Sequence, residues 1–287
     1  MKNRAIVFMS FITVLLANPS VNSLVWAQGV PTTAEDFANR GLEFAEKDDW
    51  DQAITDYTEA LRLDPNFAGA YNIRGFAYNI KGDYDQAIED LSQAIHLDPN
   101  FAAAYNNRGY AYFGKGDYNR TIEDLNQAIL LDPNFATAYN GRGRAYANKG
   151  DYDRAINDYS EVIRLDPNND MSYNNRGLAY ANKGDYDRAI SDLNQAIRLN
   201  PNTTILYNNR GSVYNGKGDY DRAIEDLNQA IRLNPNFATA YNNRGFAYAS
   251  KGDYERAISD YETALRINPN DDVIKRTLEA IRKERER

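Results

Sequence analysis

The chain has 287 residues, of which 43% are hydrophobic and 26% charged, a composition that folds rather than staying disordered. It has no cysteine and one histidine, His96, which excludes disulfides, cysteine-ligated metal, a thiol nucleophile and an imidazole cluster. Its net charge of −8 argues against a general basic surface for nucleic-acid phosphates. At the start of the chain, Lys2 and Arg4 precede an apolar run from Ala5 to Ala17, broken only by Ser10 and Thr13. This is the charged region and short apolar core of a secretory signal, too short to span a bilayer comfortably. Asn18, Pro19 and Ser20 break any helix, and Val25-Trp26-Ala27 offers small side chains at the positions a signal peptidase reads. Residues 1–27 are therefore expected to be a signal peptide cleaved after Ala27, with no membrane insertion afterwards and a periplasmic or secreted product. An uncleaved anchor is the alternative.

Length alone suggests about two domains. The prolines override that: Pro65, Pro99, Pro133, Pro167, Pro201, Pro235 and Pro269 lie 34 residues apart without slippage. A fixed period of this size marks a repeat array. It divides the chain into a short leader, 28–33, and seven repeats, 34–67, 68–101, 102–135, 136–169, 170–203, 204–237 and 238–271, followed by a half-repeat, 272–287. In the last full repeat, Tyr241, Gly245 and Tyr248 share one helical face, and Ala257, Tyr261 and Ala264 share the face of a second helix. Gly252-Asp253 turns the chain and caps the second helix, and Asn268-Pro269-Asn270 ends it. Each repeat is predicted to be a helix–turn–helix hairpin.

An aromatic at repeat position 4, Gly at 8, Tyr at 11, Ala at 20 and 27 and Pro at 32 resemble the tetratricopeptide repeat family over 34–271. The resemblance implies an all-α fold, an α-solenoid of tetratricopeptide hairpins forming a right-handed superhelix, with first helices on the concave surface and second helices on the convex one. Small residues at 8 and 20 let two helices approach, and large ones at 4, 11 and 24 fill the space around them. Asp48 in place of the turn glycine, Thr121 at position 20 and Val162 at position 27 depart from the pattern.

Position 7, usually leucine in the family, is arginine throughout: Arg40, Arg74, Arg108, Arg142, Arg176, Arg210 and Arg244. Position 23 is aspartate throughout: Asp56, Asp90, Asp124, Asp158, Asp192, Asp226 and Asp260. Positions 3, 7 and 10 form one stripe. Positions 3 and 10 are small or apolar in later repeats, as in Ala70 and Ala77 or Leu206 and Val213, but are Asp36 and Glu43 in the first. A stripe that is acidic only where no hairpin precedes it faces the preceding hairpin. Each arginine is therefore expected to pair with the aspartate of the hairpin before it, an interlock between repeats, with Arg40 satisfied locally by Asp36 and Glu43. A charged binding track is the alternative. In the half-repeat the stripe reads Ile274, Leu278 and Ile281, so 272–287 is expected to be a capping helix.

The search for chemistry finds little. Asp83-Tyr84-Asp85 and Asp151-Tyr152-Asp153 sit in two-residue turns that cannot converge the six or more oxygens calcium needs, and they read as helix caps. His96 reads as a solvated surface residue. No Gly-x-Ser-x-Gly elbow or phosphate loop is present, and Asn119-Arg120-Thr121 and Asn202-Thr203-Thr204 fit the glycosylation tripeptide. No metal, cofactor or catalytic residue is expected, and the protein is not expected to be an enzyme.

On the first helix, positions 2, 6, 9 and 13 lie opposite the packed stripe and face the groove that the resemblance implies. Position 6 supplies Asn39, Asn107, Asn175, Asn209 and Asn243; position 9 supplies Phe76, Tyr110, Arg144, Leu178 and Phe246. A row of carboxamides can hold an extended peptide by its backbone, and some tetratricopeptide superhelices resemble this. The carboxylate-clamping subfamily is a poorer match, since positions 2 and 5 carry no lysine. The asparagines are expected to point away from the packed layers; a role as polar filler is the alternative. The expected function is a non-catalytic scaffold, monomeric, binding a protein or peptide segment outside the cytoplasm. The alternative is a subunit of an envelope assembly, export or glycan-processing complex.

Overall fold

The computed structural model describes residues 31–285, and the expected signal segment lies outside the described residues. Among the described residues the chain forms fifteen α-helices and no strand. Seven hairpins follow one another: α1 (Ala34–Glu46) with α2 (Trp50–Leu63), α3 (Ala68–Lys81) with α4 (Tyr84–Leu97), α5 (Ala102–Gly114) with α6 (Tyr118–Leu131), and α7 (Ala136–Asn148) with α8 (Tyr152–Leu165). They continue with α9 (Asp170–Asn182) and α10 (Tyr186–Leu199), α11 (Thr204–Lys217) and α12 (Tyr220–Leu233), α13 (Ala238–Ser250) and α14 (Tyr254–Ile267), and end at α15 (Asp272–Arg285). The chain divides into two compact blocks, one ending at Ala145 and one beginning at Tyr146, within α7.

Local chemistry sets the helix ends. Six turn glycines, Gly82, Gly116, Gly150, Gly184, Gly218 and Gly252, take φ between +76° and +87°, a region open to glycine. Asp48 takes φ +60° at the same place in the first hairpin, a strained choice for a residue with a Cβ. The aspartates that follow cap the second helices; Asp151, for example, accepts from the Arg154 N–H, although Asp83 makes no such bond. Each of α2, α4, α6, α8, α10, α12 and α14 ends just before a proline, which disfavours a helical residue ahead of it.

Glycine at position 8 lets the two helices of a hairpin touch. A Cβ on Gly75 would lie 2.7 Å from Leu91 Cγ, and one on Gly211 2.8 Å from Leu227 Cγ. Alanines at position 20, such as Ala87 and Ala189, are fully buried beside them. Between hairpins, the stripe of the first helix packs on the second helix before it, as its changed composition in the end repeats predicted. Ala104 and Ala111 of α5 join Ala87, Leu91 and Ala94 of α4, and Ala240 and Ala247 of α13 join Leu227 and Ala230 of α12. Ile274 and Leu278 of α15 are buried against Tyr261 and Ala264 of α14, with Ile281 beside them.

The arginines pair otherwise than expected. Arg74 Nε and Nη2 donate to Asp90 Oδ2 and Oδ1, both at 2.7 Å, and Arg176 makes the same two-point contact with Asp192 at 2.8 Å. The partner is the aspartate of the same hairpin, because the antiparallel helices bring position 7 opposite position 23. Arg40 likewise binds Asp56, at 2.6 Å, and needs neither Asp36 nor Glu43. The arginine still reaches the preceding hairpin with its remaining nitrogen. Nη1 donates to a polar group at position 25: Thr58 from Arg74, Ser92 from Arg108 and Ser160 from Arg176. The guanidinium groups of Arg74, Arg108, Arg176, Arg210 and Arg244 thus close their own hairpins and touch the ones before.

A second set of ion pairs joins repeats at the turns. Lys81, Lys115, Lys183, Lys217 and Lys251 bond Asp51, Asp85, Asp153, Asp187 and Asp221 of the hairpin before. The second aspartate of each Asp-x-Asp pair is therefore a bridge to the next repeat rather than a cap.

Candidate peptide-binding groove

In each block the first helices of successive hairpins lie side by side: α3 touches α5, α9 touches α11, and α11 touches α13. This adjacency couples the position-6 asparagines to position 5. Asn243 Nδ2 donates to Asn208 Oδ1 at 3.0 Å, Asn208 to Asn209 at 3.3 Å, Asn209 to Asn174 at 2.8 Å, and Asn174 to Asn175 at 3.2 Å. The same linkage runs from Asn106 to Asn107 to Asn72 in the N-terminal block. Asn107, Asn175, Asn209 and Asn243 thus form, with the asparagines at position 5, an amide ladder between repeats. An amide has two donors and two lone pairs, so a ladder bond at each end leaves the orientation fixed and half the capacity open.

The two blocks use this ladder differently. Asn107 is buried, contrary to the expectation that these side chains point away from the packing, whereas Asn175, Asn209 and Asn243 are half-buried and reach the surface. The next rung after Asn107 would stand at Gly141, which has no amide, and Asn106 Oδ1 is left buried without a partner. Tyr110 fills the space instead. A Cβ on Gly141 would lie 3.3 Å from the Tyr110 ring, and the Tyr110 hydroxyl donates to the Thr137 carbonyl at 3.3 Å. Burial pushes that hydroxyl's pKa up despite nearby Arg144 and keeps it a donor. Arg144 itself lies 4.6 Å over the Phe113 ring, and Phe76 packs edge-on to Trp50 at 6.0 Å. Phe76, Tyr110 and Arg144 are therefore engaged with their own block, and Asn39 is half-buried on α1.

The C-terminal block is more open. Phe246 is 49% exposed and packs edge-on to Tyr220 at 6.5 Å, while Leu178 is half-buried. Met171 and Ile205, at position 2 of α9 and α11, are exposed as well. They belong to the same helix face as positions 6, 9 and 13, so their apolar character at a groove-facing position was the available signal. Every residue at positions 2, 6, 9 and 13 of α9, α11 and α13 is uncharged. The floor is apolar patches around a fixed row of amides. Among the described residues no group of three or more His, Asp or Glu side chains is placed to hold a metal ion, and no helix is long and apolar enough to cross a membrane.

The TPR repeat profile matches residues 41–79, 75–116, 109–150, 143–184 and 211–252, and the tetratricopeptide repeat profile matches 171–203 and 238–271. The chain belongs to the tetratricopeptide repeat family. A tetratricopeptide repeat protein from Parabacteroides merdae ATCC 43184 shares the fold, with a TM-score of 0.69, 22% identity, and 86% of this chain and 98% of that one covered. MamA is 29% identical with a TM-score of 0.51, over 56% of this chain and 94% of its own. YrrB, described as a TPR protein with an unusual peptide-binding site, is 24% identical with a TM-score of 0.52, over 65% of this chain and 96% of its own. No curated protein matches significantly.

Proposed function

We propose that this protein is a tetratricopeptide scaffold that holds an extended, uncharged and partly apolar segment of a partner protein against α9, α11 and α13. The observation that carries the reading is the amide ladder of Asn175, Asn209 and Asn243, fixed by its own bonds and flanked by exposed Met171, Ile205 and Phe246. A peptide backbone alternates donors and acceptors, which the open half of each amide matches. The apolar side chains supply burial and a modest sequence preference. The open block, rather than Phe76, Tyr110 and Arg144, is the main site in this proposal. A location outside the cytoplasm is part of the proposal, supported by the residue pattern of 1–27, and fractionation of cells producing the full chain tests it.

A displayed library of random peptides tests the binding reading. The full chain is expected to select apolar, uncharged sequences, and Ile205→Glu with Phe246→Ala is expected to weaken the selected peptides at least tenfold while helicity is retained. Selection of highly charged sequences, or binding unaffected by this variant, would remove the groove of the C-terminal block from consideration.

A further inference from the structure

The ends of the second helices carry a charge pattern that groove binding does not use. At positions 26, 29 and 31, Glu59 and Asp64 flank Arg62, and Glu161 and Asp166 flank Arg164; in the second and third repeats Asp98 and Asp132 accompany neutral His96 and Leu130. Each of these first four repeats therefore carries −1 at this edge. In the last three the acids are gone: Gln195 and Asn200 flank Arg198, Gln229 and Asn234 flank Arg232, and Thr263 and Asn268 flank Arg266. Each carries +1. A cation in the last turn suits the helix dipole in every repeat alike, so the dipole does not explain why the acids vanish from three consecutive repeats only.

The contacts follow the charges. Arg62 and Arg164 are held by Glu59 and Glu161 at 2.8 Å. Among the described residues neither Arg198 nor Arg232 is in an ion pair, and Arg266 reaches only the Thr263 hydroxyl at 3.3 Å. Of the nearby acids, Asp170 is bonded by Asn200 and Glu262 by Arg282, while Glu225 lies two turns along α12 from Arg232. The same edge of the N-terminal block exposes two large apolar side chains, Leu63 and the 73% exposed Leu130. That edge is acidic and apolar, and it suits arginines, whose aliphatic stems cover leucine while their heads meet carboxylate.

We infer that this edge is an interface between two copies of the chain. Arg198, Arg232 and Arg266 of one copy dock on Asp64, Asp98 and Asp132 of the other, over Leu63 and Leu130. The complementary surface is the chain's own, in the same repeat register. Charges of this kind steer encounter and set register, and the leucines supply burial.

Sedimentation equilibrium of the full chain tests the inference. In 0.1 M salt the mass is expected to rise with concentration above that of one chain. At 1 M salt, where the screening length falls from about 10 Å to about 3 Å, the association is expected to weaken at least tenfold. The variant R198E/R232E/R266E is expected to do the same. So is D64N/D98N/D132N, in which asparagine keeps the turn bond that Asn234 already makes to the Asn236 N–H. Circular dichroism confirms that both variants remain helical. A single-chain mass at every concentration in 0.1 M salt would overturn the interface, and so would association that either variant leaves unchanged.

Discussion

Tyr57 fills the place next to Gly41 that leucine fills in four other repeats, and its hydroxyl is buried without a partner. Burial pushes the pKa of this hydroxyl up, and that of Tyr261, its equivalent in the last repeat, to about 12. In the unfolded chain tyrosine ionises near about pH 10. The two hydroxyls therefore leave stability intact below that pH and withdraw it as pH rises from there through 12, because only the unfolded state releases the proton. Tyr57→Phe is expected to raise neutral-pH stability by about 1 kcal/mol, the cost of the unsatisfied group, and to flatten the alkaline loss. Thermal melts at neutral pH and above pH 10 check both. The arginines present the opposite case, a polar group fully used. Removing either Arg176 or Asp192 strands a charge that is mostly buried and is expected to cost about 3 kcal/mol or more. Removing both should cost less than the sum. A double-mutant cycle by urea denaturation is expected to show coupling for Arg176 with Asp192 and none for Arg176 with Asp226.

At the scale of the helix pair, the turn sets how well each hairpin closes. Asp48 stands at φ +60° where six other repeats place glycine, so Asp48→Gly is expected to stabilise the first hairpin by about 1 kcal/mol, and Gly184→Ala to destabilise its own by a similar amount. Urea midpoints of the two variants, moving in opposite directions, check this. These turns and the proline period were legible in the sequence because each depends on residues close in the chain. The partner of each arginine was not read correctly, since two aspartates at position 23, before and after it, recur with the same regularity. The signal was at the C-terminus. Position 7 of the last helix is Leu278, so pairing between repeats would orphan Asp260, whereas pairing within the hairpin leaves no aspartate over. The amide ladder escaped for a different reason. A helical wheel places Asn209 on a face but says nothing of Asn174, 35 residues earlier, which only the side-by-side first helices bring to 2.8 Å.

In a repeat array each hairpin contacts mainly its neighbours, so stability is a sum of local terms and the ends matter most. At the N-terminus the exposed stripe is made polar by Asp36 and Glu43. At the C-terminus it is covered by α15, whose Ile274 and Leu278 are each 5% exposed. Burying two such side chains contributes about 3–6 kcal/mol. Arg282 adds a bond to Glu262 at 2.7 Å, at the position where earlier repeats receive Nη1 of an arginine. Deletion of 272–287 is therefore expected to destabilise the hairpin α13–α14 by most of that burial and to leave α1–α4 unaffected, because the stability of a repeat array is set between neighbouring hairpins. The loss should reach the proposed binding surface, since Asn243 and Phe246 lie on α13 and hold the last rung of the ladder and its exposed aromatic. Hydrogen exchange followed by peptide mapping checks the prediction. Protection should fall over 238–267 and stay constant over 34–97; uniform loss along the chain would mean that the array unfolds as one cooperative body rather than from its end.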